Sequence, residues 1–74
     1  MNQDIFALRW NQIRNEVRKT WERFTELDVD EIEGKYDILI SKLQEKYGYT
    51  VEEASQEANR FLEMVGKQVE RFHL

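Results

Sequence analysis

Few side chains in this chain could do chemistry, and none of them is a cysteine. That absence removes disulfide frameworks, thiolate metal sites and thiol nucleophiles together, and it fits a reducing cytoplasm. The single histidine, His73, stands one residue from the end, where chains fray and acid–base groups are poorly positioned. It reads as an exposed terminal residue. Asp28, Asp30, Glu31 and Glu33 form an acidic run that could suggest a cation site. Their spacing fails the calcium-loop pattern, which needs alternate oxygen ligands, a glycine at the sixth place and a bidentate glutamate at the twelfth. Carboxylates that offset the positive pole of a helix start explain the run better, so no metal is expected. Gly34-Lys35 lacks the glycine-rich loop and preceding strand of a phosphate cradle, and reads as a helix element. No cofactor, small-molecule substrate or catalytic group is expected, and the chain is read as non-enzymatic.

Charge is unevenly spread. Residues 9–24 carry five positive and two negative charges, whereas residues 25–34 carry five negative and none positive. A basic face could meet nucleic acid, whose phosphates dominate such affinity. The formal charge of -4, and the alternation of Glu16 and Glu22 with the basic residues, favour a solvated face instead. An amphipathic first helix with Trp10 and Trp21 opposite its arginines could lie on anionic lipid, but so short a chain needs those aromatics for its core. Nucleic acid and membrane are both disfavoured as partners. The longest unbroken apolar run is Ile5-Phe6-Ala7-Leu8, far short of the roughly 20 residues of a membrane span. The first residues have neither a basic region nor an apolar run of signal-peptide length, so export by a standard signal is not expected.

The elements that carry these residues follow from periodicity. There are 74 residues, no proline and three glycines, which allows one small domain and argues against β-rich folds with their frequent turns. The fold class is all-α, a small bundle of three to four helices. Phe6, Trp10, Ile13, Val17, Trp21 and Phe24 recur at helical spacing and predict a first helix from about Ile5 to Phe24. A turn is expected near Thr25 to Asp28, with Asp28 or Asp30 capping the second helix. Ile32, Tyr36, Leu39, Leu43 and Tyr47 predict that second helix over about Val29 to Tyr47, ended by Gly48. Gly34 either sits inside it or divides a short helix, Asp28 to Glu33, from a longer one. Thr50-Val51-Glu52-Glu53 is a capping box, and the face Ala54, Ala58, Phe61, Val65, Val69 and Phe72 carries a last helix almost to Leu74.

Between Trp10 and about Phe61 stand Trp10-x-Gln12-Ile13, Trp21, Thr25, Asp28-x-Asp30, Ile32-Glu33-Gly34-Lys35-x-Asp37-x-Leu39, Lys42-Leu43-Gln44-Glu45-Lys46-Tyr47-Gly48 and Ala54. In these residues the sequence resembles the CsbD-like family of bacterial general stress-response proteins. The chain departs from the family at Asn15-Glu16, Glu22-Arg23 and Ser41-Lys42, where Gly-Lys pairs are common. The resemblance implies two packed helical hairpins, a cytoplasmic location, induction under stress and no catalytic residues. Outside it lie apolar extensions at both ends. Phe6, Val65, Val69 and Phe72 are therefore the candidate residues for binding a protein partner or a second copy, if they do not meet within one molecule. The intramolecular pairing is the favoured expectation, because it adds core without the entropy loss of association.

Overall fold

The computed structural model describes residues 6–71, with side chains to Gly66. The described residues contain five helical segments and no strand, so the chain is all-helical with more breaks than the expected three or four helices. Residues 6–8 belong to α1, and the others are α2 (Trp10–Thr20), α3 (Glu26–Ile32), α4 (Tyr36–Tyr47) and α5 (Val51–Arg71).

The extra breaks fall where apolar periodicity could not register them. The predicted first helix is interrupted at Arg9, whose backbone leaves helical geometry, and it ends at Thr20 instead of Phe24. Trp21 and Phe24 are nevertheless buried, because residues three apart share a side in a turn as well as in a helix. The turn itself runs over 21–25, earlier than expected, with the Phe24 N–H donating to the Trp21 carbonyl. Thr25, and neither Asp28 nor Asp30, caps the next helix. Its hydroxyl accepts from the Asp28 N–H at 3.1 Å, while the Asp28 carboxylate accepts from the Thr25 N–H at 2.9 Å. This is the reciprocal capping box, with Asp in the place usual for Glu or Gln.

Gly34 divides α3 from α4, as one of the two readings of the sequence had it. Glu33 and Gly34 are both left-handed, at φ 49° and 74°. A Cβ on Gly34 would lie 3.1 Å from the Trp10 Cβ and 3.2 Å from the Ala7 Cα, so the start of the chain packs directly on this backbone. Gly48, at φ 70°, terminates α4, and the Thr50–Glu53 box starts α5 as predicted, with its bonds at 3.1 and 2.9 Å.

Consecutive helices pack on one another from α2 to α5. Arg14 pairs with Asp30 and Arg18 with Glu26, so α2 and α3 run antiparallel, and the three-residue turn 48–50 folds α5 back along α4. One core holds Ile13, Val17, Val29, Ile32, Leu39 and Leu43, all at most 1% exposed. Ala54 and Ala58 are fully buried on α5, and their small side chains admit close approach of α4. Trp21 closes the circuit from the α2–α3 turn to α5, with its ring 4.8 Å from that of Phe61.

Candidate functional site

The acidic run singled out in the sequence is dispersed by the fold into three separate jobs. Asp28 points inward and is the only buried charged side chain among the described residues, at 5% exposure. Lys42 and Lys46, one helical turn apart on α4, place their ammonium groups 3.2 and 3.3 Å from its two carboxylate oxygens. Asp30 faces the other way, onto Arg14 of α2, and Glu31 shares Lys42 with Asp28. Glu33 stands at the surface, 3.9 Å from Lys35. Among the described residues no group of three or more side chains could hold a metal ion.

Electrostatics at Asp28 are a contest between burial and bonding. Desolvation alone would raise its carboxyl, but the Thr25 N–H and the two ammonium groups outweigh it and hold the group at about 2. Lys42 is pushed up from its ordinary value, chiefly by its hydrogen bond to Glu31 and then by Asp28. Sequence reading placed Asp28 at a helix start but missed its lysines. The signal available was the pattern Thr25-x-x-Asp28, which is a capping box that brings the carboxylate back toward the chain entering the helix.

The basic stretch of the first helix is also spoken for. Arg14 and Arg18 reach α3 carboxylates, and Lys19 lies 3.5 Å from Glu16 on its own helix. Arg23 sits over the Tyr47 ring, 5.4 Å from its centroid, and donates to the Lys46 carbonyl at 3.2 Å. The Tyr47 hydroxyl accepts from the Arg23 N–H at 3.1 Å, and Tyr49 stacks on Tyr47 with centroids 5.5 Å apart. This aromatic end of the bundle had no counterpart in the sequence reading, which took Tyr47 as the last residue of an apolar face and as part of the run Lys42 to Gly48 that carries the resemblance.

The chain compares closely with small bacterial proteins. It is 40% identical over 57 residues to the UPF0337 protein YjbJ of Escherichia coli strain K12, covering 77% of this chain and 83% of the relative. It is 34% identical over 61 residues to the UPF0337 protein PA4738 of Pseudomonas aeruginosa, covering 82% and 94%. The chain belongs to the UPF0337 family. A third UPF0337 protein, ECA0631 of Pectobacterium atrosepticum, is 36% identical over 61 residues, covering 82% of this chain and 88% of the relative. No family model and no solved structure matches it.

Of the four apolar candidates at the ends of this UPF0337 chain, Phe6 and Val65 are in the common core, at 0% and 3% exposure. Phe6 meets the edge of Trp10 with ring centroids 5.1 Å apart. The Val69 side chain and Phe72 lie outside the described residues, as does His73. No described helix is long and apolar enough to cross a membrane.

Proposed function

We propose that this UPF0337 chain is a non-enzymatic, cytoplasmic stress-response protein of the CsbD-like kind, which acts by being present and binding. Its reactive side chains support this reading. Asp30 meets Arg14, Glu26 meets Arg18 and Glu31 meets Lys42 across helix contacts, and the one buried carboxylate among the described residues, that of Asp28, is neutralised by Lys42 and Lys46 within the fold. An acid–base catalyst needs such a group poised near neutrality and facing a substrate. Asp28, held at about 2 and bonded on both oxygens, has neither property. Nucleic acid and lipid are disfavoured for a related reason, since the α2 arginines that would meet phosphate already meet α3. The test is abundance. Quantitative mass spectrometry of the source cells should show the chain rising severalfold under at least one of heat, osmotic upshift and starvation. Constant abundance under all three overturns the stress assignment.

A further inference from the structure

We infer that Arg23, with Tyr47 and Tyr49 beside it, is a docking face for a carboxylate-bearing segment of a protein partner. The inference rests on the reading that this chain acts by binding. Every other described cation from Arg14 to Arg60 pairs with a carboxylate of the fold. Arg23 is exposed and has no carboxylate partner among the described residues. Tyr47 holds it at both ends: the Arg23 backbone N–H donates to the Tyr47 hydroxyl at 3.1 Å, and the guanidinium lies 5.4 Å from the ring centroid. Nη1 also donates to the Lys46 carbonyl at 3.2 Å. The charge is therefore fixed in place without being neutralised.

What such a cation fits follows from the guanidinium itself. Nε and Nη2 have no hydrogen-bond partner among the described residues, and together they form one edge of the planar group. That edge matches the two oxygens of a carboxylate. The freedom an arginine ordinarily loses on binding is already lost in the free chain, so more of the pairing energy appears as affinity. Tyr49 stacks on Tyr47 with the rings inclined by 11°, and both are half-buried against the core. They add rigid contact area next to the cation, and tyrosine and arginine are the side chains over-represented where protein surfaces bind. Nucleic acid fits less well, because its affinity rests on several phosphates meeting several cations. The adjoining Lys46 is committed to Asp28, and the formal charge of -4 opposes a polyanion at long range. One carboxylate met by contact needs only Arg23.

The experiment titrates the labelled full chain with tetra-glutamate, tetra-glutamine and a single-stranded thymidine oligonucleotide, following backbone amide shifts. It is run at about 0.15 M salt, which screens charges more than about 8 Å apart and leaves contact to decide. Tetra-glutamate should move Arg23 and residues 46–49, and bind more tightly than either of the other two. Arg23→Gln should weaken it about tenfold or more, and Arg23→Lys, which keeps the charge and loses the planar edge, about threefold. Because the Arg23 side chain is exposed, both variants should keep the native amide pattern away from these residues. Shifts centred elsewhere, equal binding of tetra-glutamine, preferred binding of the oligonucleotide or indifference to Arg23→Gln would each overturn the inference. Crosslinking in stressed cells separates this failure from that of the parent reading. Partners captured equally by the native chain and by Arg23→Gln would remove this face and leave binding as the mode of action.

Discussion

A carboxylate can sit in the core of so small a bundle only if its bonds replace water, and that of Asp28 has three partners within reach: the Thr25 N–H, Lys42 and Lys46. Asp28→Asn keeps an acceptor for the Thr25 N–H but leaves two lysines without their charge partner. Because Lys42 and Lys46 can reach solvent, the expected cost is about 1–2 kcal/mol by denaturant titration. The folded-state value lies below the ordinary 3.8, so this stabilisation is fully present above pH 3.8 and is lost as the pH falls toward about 2. Melting temperature should drop over that window in the native chain and drop less in Asp28→Asn. Lys42 has the opposite sign: its raised value makes its contribution complete below 10.5 and lost as the pH rises through the higher folded value. Two glycines separate backbone strain from crowding. Gly34→Ala and Gly48→Ala both place a side chain at positive φ, but only at Gly34 does the new Cβ meet other atoms, those of Trp10 and Ala7. Gly48→Ala should cost about 1 kcal/mol and Gly34→Ala about 2–4 kcal/mol. Equal melting temperatures for the two variants would show that the start of the chain does not rest on Gly34.

At the scale of elements, a boundary was legible where a few consecutive residues write it, whether it starts a helix or ends one. Thr50-x-x-Glu53 announced α5 because the box is written in four consecutive residues, and the structure forms both of its bonds. Gly48 announced the end of α4 for the same local reason. The end of α2 carries no such mark: no glycine or proline lies between Trp10 and Thr25, and the apolar spacing runs on through Trp21 and Phe24. What stops the helix is tertiary, the burial of Trp21 against Phe61 and the extended Thr25 backbone that its own cap requires. The same limit hid the aromatic end of the bundle, since Arg23 and Tyr47 are 24 residues apart and meet only once α4 is packed. Trp21 gives the measure of this turn. It is 3% exposed, so Trp21→Ala should cost about 3–5 kcal/mol and leave the chain largely unfolded. Its buried indole N–H has no hydrogen-bond partner among the described residues, a penalty that Trp21→Phe removes while keeping a ring against Phe61. Trp21→Phe should therefore fall well short of that cost in the same melt, and an equal loss would mean that indole shape, not ring burial, fixes the turn.

For the whole molecule the issue is how 74 residues without a cysteine for any disulfide stay folded. A core of this size supplies only a few kcal/mol net, so each buried side chain at the ends matters in proportion. Phe6 and Val65 lie beyond the stretch that resembles the CsbD-like family, yet both are buried with the residues of that stretch in one core. For these two residues the burial is intramolecular, and it lengthens the bundle at no cost in association entropy. The consequence is a specific response to truncation. Deleting Val65 to Leu74 removes a core valine and the last turns of α5, and should lower the melting temperature while sedimentation shows a monomer before and after. Phe6→Ala should lower it further than an exposed control such as Leu8→Ala, because Leu8 is 82% exposed and Phe6 not at all. An oligomer that dissolves on truncation, with the melting temperature of the remaining domain unchanged, would place the stabilising role of the C-terminal end between molecules.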